Sequence, residues 1–435
     1  MTTADGVPSE LPDERQIPAG VVDEAGTVGA TTSAAEGRRG PREGELVALL
    51  AAISATTALG IDMALPAFSE MRDGLGLAPD SPRIALTVTL YFLGLASVQM
   101  VYGPFTDRYG RKPVLYAGLA LYTLGALGSA LAPSFEILII SRFIWGVGAA
   151  GPRALTLAIG RDLYDGDRLA RILAVVMSVF MVVPALAPLL GQAVLSVSSW
   201  RWVLASPIVV TLALSLWLTR LPESLPVERR RPLTLDRTRE AVTAVFTSRL
   251  TIGSALAVMF DFGGFAVFLG SSQLLFDDVY DRGDVFAYYF AAMSVAMGIV
   301  VFSGSRAVRA VGAGRVIGVA MPLSVVLSIV LAIWSWRSDG APAFIGFFVL
   351  ITVINSMRTV GNPLLQARAM EPMGELAGTA SAVIGTVSLG GGAILAGLVD
   401  RTIDGSVTPL ALAYAGYGVI GLGFAWWGGA MSTRS

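Results

Sequence analysis

The sequence predicts an all-α integral membrane protein, twelve transmembrane helices arranged as two pseudo-symmetric six-helix bundles, on three observations. The chain of 435 residues is 54% hydrophobic and only 14% charged, with a mean hydropathy of +0.67, whereas a soluble domain holds about 45–50% apolar and about 25% charged residues. Apolar runs of the length that crosses a hydrocarbon core about 30 Å thick, roughly 20 residues at 1.5 Å each, recur along the whole chain. The two halves also echo each other: GPFTDRYGRK, residues 103–112, follows the second run, and GSRAVRAVGAGR, residues 304–315, follows the eighth, with glycines and basic side chains in the same order.

Residues 1–43 are rich in Gly, Ala, Thr, Ser, Pro and charge and hold no apolar core of signal-peptide length, so they read as a disordered cytoplasmic tail. The first half, 44–220, carries runs near 46–67, 83–104, 113–132, 136–160, 169–194 and 201–219. A polar connection, 221–248, follows, and its 233–247 part has the pattern of a short amphipathic helix on the membrane surface. The second half, 249–435, carries runs near 250–275, 285–305, 314–334, 342–367, 376–399 and 408–430, then a short tail.

Basic residues set the expected orientation. Arg108, Arg111 and Lys112, then Arg161, Arg168 and Arg171, then the cluster from Arg229 to Arg239, then Arg306, Arg309 and Arg315 fall in alternate connections. The other connections hold isolated arginines such as Arg72, Arg282, Arg337 and Arg401. The positive-inside rule places both termini in the cytoplasm of a multi-pass plasma (inner) membrane protein.

Composition removes several function classes. With neither cysteine nor histidine there is no disulfide framework, thiolate or imidazole metal site, or Cys–His nucleophile, and proton chemistry falls to carboxylates. No Asp/Glu cluster has metal-ligand spacing and no Walker A pattern occurs, so neither an enzyme, a metal or other cofactor, nor direct ATP drive is expected. The formal charge of −1, with basic residues scattered between apolar runs, leaves no nucleic-acid footprint. The expected partners are a small molecule, protons and the bilayer, met by a monomeric chain.

The stretch Gly103-x-x-x-Asp107-Arg108-x-Gly110-Arg111-Lys112, between the second and third runs, resembles the signature loop of the major facilitator superfamily of transporters. Together with ALGIDMALPAF, GRDLYDGDR, VVPALAPLLGQ, SSWRWV and AMEPMGELAGTASAVIG in their order, it is similar to the bicyclomycin-resistance type of drug:proton antiporter. The resemblance implies the major facilitator fold and alternating-access export of a small, largely apolar compound in exchange for protons. It also implies that the loop is a conformational latch on the cytoplasmic side, whose partner is the start of the eleventh helix near Gly374–Gly378. An uptake carrier of the same fold is the alternative; a non-transporting membrane sensor is the alternative from another class, disfavoured because no soluble output domain is visible.

Ionisable groups inside apolar runs are costly, about 2.5–3.5 kcal/mol at a helix centre on insertion scales, and mark functional candidates. Asp62 in the first run is the first choice for proton and substrate coupling, and the resemblance implies an acidic residue there; a helix-end position at the interface before Pro66 is the other reading. Asp261 in the seventh run falls, after subtraction of the repeat, near Gly60, so the two carboxylates are candidates to face one cavity; a hydrogen-bonded neutral acid without function is its alternative. Arg142 lies where the resemblance implies a buried arginine assisting proton transfer, with snorkelling as the alternative, and Arg358 is its second-half counterpart. Gly146, Gly148 and Gly151 match G-x-G-x-x-G but sit inside one apolar run, which points to helix packing. Pro184, Pro188 and Gly191 mark the antiporter-type fifth helix, expected to kink, with Gly390, Gly391 and Gly392 its counterpart. Met63, Phe92, Trp145, Met181, Phe262, Phe265 and Phe268, with Asn355 and Asn362, are candidates for the cavity wall.

Overall fold

The computed structural model describes residues 42–230, 235–403 and 405–432. The expected N-terminal tail lies outside these residues except for its last two, as does Arg231 of the central connection.

Among the described residues the structure is helical throughout. The first half holds α1 (Glu43–Asp62) with the short α2 (Phe68–Gly74), α3 (Leu86–Ser97), α4 (Gln99–Tyr109), α5 (Arg111–Ala130), α6 (Phe135–Leu163), α7 (Gly166–Leu195) and α8 (Trp200–Trp217). After α9 (Leu235–Thr247) come α10 (Arg249–Leu274), α11 (Phe286–Val311), α12 (Ala313–Arg337), α13 (Phe344–Met370), α14 (Ala377–Gly385), α15 (Gly391–Asp400) and α16 (Thr408–Gly428). Ten helical stretches are each long and apolar enough to cross a bilayer, and α3 with α4, bent by 44°, forms an eleventh. One of the ten, Phe344–Asp400, has 57 residues, about 85 Å of helix at 1.5 Å per residue. Gly374 divides it with non-helical backbone (φ 42°, ψ −119°), so it supplies two crossings and twelve result.

One expectation is corrected. Residues 103–109, read as a loop, are the last turns of α4; the chain reverses at Gly110 alone (φ 98°, ψ 159°), and α5 begins at Arg111. Gly312 makes the same single-residue hinge between α11 and α12 (φ 85°, ψ 155°). A side chain would strain either position, so glycine is what lets two long helices follow each other without a loop. The sequence echo is thus a backbone echo. Pro184 and Pro188, expected to kink the fifth helix, both lie inside the α7 span. A membrane helix tolerates such prolines where local adjustment and neighbouring helices satisfy the carbonyls they release.

Glycine sets how closely the first-half helices approach. A methyl group on Gly146 would run into the Tyr91 carbonyl, one on Gly148 into the Tyr122 backbone, and one on Gly94 into the Phe143 carbonyl. These contacts join α6 to α3 and α5 and explain the false G-x-G-x-x-G signal as a packing face. Gly148→Ala is expected to destabilise the protein by about 1–3 kcal/mol through overpacking. Gly160→Ala on the same helix, where a methyl meets only side-chain carbons at ordinary distance (3.5 Å), is expected to change little; thermal unfolding of the detergent-purified variants measures both.

The amphipathic segment forms as α9, but its apolar face does more than rest on lipid. Val245 is fully buried and packs with Ala380, Val383 and Ile384 of α14 and with Met373. The central connection therefore braces the near end of α14.

Candidate functional site

The sides of the bundle are named here by the chain itself: the near face carries residue 42, the α4–α5 hinge and residue 432, and the far face carries the α1–α2 and α15–α16 connections. Asp62 is the last residue of α1, toward the far face, and is buried at 6% exposure. No hydrogen bond or ion pair engages its carboxyl group among the described residues, and it makes no helix cap. Two residues earlier, Gly60 is enclosed by polar-tipped aromatic rings: a Cβ there would lie 2.8 Å from the Tyr91 hydroxyl, 3.0 Å from that of Tyr122 and 3.2 Å from the Trp145 indole nitrogen. Tyr91 donates to the Thr57 carbonyl (3.0 Å) and Tyr122 to that of Thr56 (2.8 Å), so α1 is held by backbone acceptors along the turns that lead to Asp62.

Arg142 is almost fully buried, which excludes the snorkelling alternative in this structure. It forms no ion pair with Asp62. Its Nη1 donates to the Gly60 carbonyl (2.7 Å) and its guanidinium lies over the Trp145 ring at 4.7 Å.

The second half repeats this tie with one change. Arg358 Nη1 donates to the carbonyl of Asp261 (3.4 Å), the counterpart of Gly60, and Nη2 to that of Tyr414 (3.0 Å), while the guanidinium lies 4.1 Å from the Tyr414 ring centroid. Here the position has a side chain, and Asp261 Oδ1 lies 3.6 Å from Arg358 Nε while Oδ2 accepts from Asn362 Nδ2 at 3.1 Å. Tyr414 in turn donates to Asn355 Oδ1 at 2.8 Å. Four residues singled out in the sequence, Asp261, Arg358, Asn355 and Asn362, are thereby one buried network, joined by Tyr414, which sequence reading missed. Gly264 makes room for it: a methyl there would collide with the Arg358 guanidinium. The halves thus hold two differently prepared acids, one unpaired and one matched to a cation.

The candidate wall residues divide. Phe92 of α3 meets Phe262 of α10 edge to face at 4.9 Å, a contact across the two halves. Met63 and Trp145 are buried within the first half, Phe268 stacks on Phe290 in the second, and Phe265 is partly buried beside Phe268. Met181 is 40% exposed on α7 and belongs to no enclosed wall. Gly191 lets α7 reach the backbone of Met63, just past the end of α1, and Gly391 and Gly392 let the eleventh crossing reach Met259 and Phe262 of α10. The fifth and eleventh crossings therefore touch the first and seventh at corresponding places.

At the far face the halves are joined by polar contacts that the sequence did not disclose. Arg72, expected as an isolated loop arginine, is buried and grips Asp278 with both Nη atoms at 2.9 Å each. The Ser69 hydroxyl donates to Asp277 and accepts from Gln273 Nε2 at 2.9 Å. Thr89 donates to Asp400 at 2.7 Å.

The near face differs. The signature segment is satisfied by the first half and the start of the central connection: Arg111 bonds Asp107 (2.6 Å) and Asp162 (2.8 Å), and Glu223 accepts from the backbone nitrogens of Arg111 (2.8 Å) and Lys112 (3.1 Å). Lys112 Nζ reaches the carbonyls of Thr219 and Leu221 at 3.2 and 2.6 Å. The side chain of Arg108 lies over the Tyr109 ring at 5.3 Å. Among the described residues Asp107 bonds Arg111 and makes no hydrogen bond to α14, the partner that the resemblance implied, although α4 packs on α14 through Met100; Gly103, Gly374 and Gly378 each face open space. The latch residues are assembled, but on one side of the seam only.

Comparison with known proteins gives the same architecture. The chain is 28% identical over 374 residues to the bicyclomycin resistance protein homolog of Haemophilus influenzae, covering 83% of this chain and 90% of the relative. It is 26% identical over 343 residues to the multidrug resistance protein MdtL of Escherichia coli O127:H6, covering 77% and 83%. Among solved structures, a D-xylose–proton symporter superposes with a TM-score of 0.70 at 14% identity, covering 87% of this chain and 97% of that one; at that identity the likeness is of fold. Residues 50–396 match the sequence profile of the Major Facilitator Superfamily, and the chain, a multi-pass membrane transporter, belongs to that superfamily.

Proposed function

We propose that this transporter exports a small, largely apolar compound from the cytoplasm in exchange for protons, working as a monomer in the plasma membrane with the near face cytoplasmic. The observation that carries the reading is the buried Asp62 carboxyl group without a charged partner, beside an arginine already committed to the Gly60 carbonyl. An acid so placed gains or loses a proton without breaking an ion pair, so its charge is free to follow cargo. Drug-resistance relatives along most of the chain support the export direction, and the basic residues around the near face support its orientation.

In the proposed cycle the described arrangement is the inward-facing one, joined at the far face and parted at the near-face latch. Proton binding to Asp62 from outside releases cargo there, and proton loss to the cytoplasm restores cargo binding. Asp261 and Arg358 hold a fixed opposite pair that stabilises the second bundle while Asp62 titrates. One proton suffices: about 100 mV contributes roughly 2.3 kcal/mol per charge, against about 1.4 kcal/mol for a tenfold gradient of neutral cargo.

The test begins with a pump-deficient strain expressing the chain, ranked for resistance across a panel of compounds. The compound that ranks highest is then offered to everted membrane vesicles with an acid lumen. Uncoupler-sensitive accumulation in the lumen is expected. Loss from the lumen under the same gradient identifies an uptake carrier, and accumulation that ignores the uncoupler removes proton coupling.

A further inference from the structure

Asp400 closes α15 at the far face and, among the described residues, is the third acid buried in the bundle, at 1% exposure. Neither its place in the sequence, next to the exposed Arg401, nor the proposed cycle gives it a task. One oxygen, Oδ2, accepts from the Thr89 hydroxyl at 2.7 Å, so the contact spans the seam from α15 of the second half to α3 of the first. The other, Oδ1, is buried without a hydrogen-bond partner, close to Gly270 of α10. Among the described residues no cation pairs with it. Arg83, from the turn before α3, lies over the Phe135 ring and faces Glu136. Tyr417 of α16 has its hydroxyl on the Leu395 carbonyl. On α10, Asp261 belongs to the Arg358 network, while Asp277 and Asp278, just past its end, belong to Ser69 and Arg72. Arg401, next in the chain, is exposed.

A carboxylate enclosed with one hydrogen bond and no counter-charge is poorly accommodated, whereas the neutral acid asks for far less. When the far seam parts, water reaches the group and either form is tolerated. We propose that Asp400 makes closure of the far seam depend on a proton taken from the outer medium, so that it acts as a positioning residue for the transport cycle and not as the carrier. It meets the outside when the seam is open and is sealed from both sides when it is closed, so its proton returns to where it came from. External acid thus favours the inward-facing arrangement. The role rests on the proton-driven cycle proposed above for its use, but the contact and its test do not.

The chain has no cysteine, so a single Ala85→Cys reports on the seam: Ala85 is fully buried against Gly270 and meets an impermeant maleimide applied outside only when the halves part. Labelling is followed without cargo or gradient from pH 8 to pH 5, with and without Asp400→Asn, and the ratio between the two at each pH cancels the thiol's own titration. With Asp400 intact, the closed-to-open ratio is expected to rise as pH falls, by at most about tenfold per unit for one proton. Asp400→Asn, a permanently neutral side chain, is expected to label slowly at every pH, as the unsubstituted acid does at pH 5. A ratio that stays flat from pH 8 to pH 5 overturns the proposal. Should Asp400→Asn fail to reach the membrane, Thr89→Val carries the test: it must raise labelling at all pH values while keeping the slope, and unchanged labelling overturns the proposal. Because no transport is measured, this outcome is independent of whether vesicles show proton-driven export.

Discussion

Asp62→Asn is expected to abolish export driven by a pH gradient, a loss of at least tenfold or about 1.4 kcal/mol in the effective barrier, while the protein accumulates in the membrane at its usual level. The second half of that expectation comes from what Asp62 lacks. Its carboxyl has no ion pair to break and Arg142 is bonded elsewhere, so the amide leaves no buried charge stranded. Asp261→Asn is the instructive contrast: it deprives Arg358 of its only carboxylate among the described residues, and removing one partner of a buried pair costs about 3–5 kcal/mol. Falling protein levels are therefore expected for Asp261→Asn and not for Asp62→Asn. Cargo binding by Asp62→Asn should be as weak as that of the protonated acid and should no longer change with pH, because the amide holds the position in its neutral form. Undiminished gradient-driven export by a normally expressed Asp62→Asn protein would take Asp62 out of the mechanism.

The architecture was legible because a bilayer imposes a length on every apolar run and a duplicated half imposes a repeat. Composition and spacing were enough for the helices and for the pairing of Gly110 with Gly312. Side-chain networks were legible only where residues sat at matching places of matching helices: Asp261 at the counterpart of Gly60, and Arg358 in the helix corresponding to that of Arg142. Tyr414 escaped because a tyrosine in an apolar run is unremarkable until its hydroxyl and ring are seen to serve Asn355 and Arg358. Arg72 and Asp400 escaped for a different reason. Each looks like a loop charge at the end of a run, and its burial depends on a partner some 200 or 300 residues away in the other half. Local pattern carries no trace of such a contact. The latch segment is a third case: Arg111 finds Asp107 and Asp162 beside it, whereas no hydrogen bond among the described residues ties Asp107 to α14, the partner that the resemblance implied.

Asp278→Asn is expected to open the far face and stall the cycle. Arg72 is buried with both Nη atoms committed to Asp278, and the pair joins α2 to the end of α10 across the halves. Its partner is about a quarter exposed, so breaking the pair costs less than the 3–5 kcal/mol of a fully buried one, yet the cost falls only on the arrangement in which the two meet. Every 1.4 kcal/mol removed from the closed seam moves the closed-to-open ratio tenfold. In an Ala85→Cys background, Asp278→Asn should therefore label at least tenfold faster from outside than the parent, and Arg72→Gln should do likewise. Restoring the attraction with the charges exchanged, Arg72→Asp with Asp278→Arg, should recover part of the slow labelling. A second route to the same seam uses Ala85→Cys with Gly270→Cys: a Cβ on Gly270 lies 3.1 Å from that of Ala85, near the roughly 3.5–4.5 Å that a disulfide spans. Oxidation should then arrest transport and a reductant should restore it. If Asp278→Asn labels no faster than its parent while the oxidised double-cysteine protein is arrested, the seam moves but the arginine–aspartate pair does not hold it, and closure rests on the apolar contact of Phe92 with Phe262 and on Asp400.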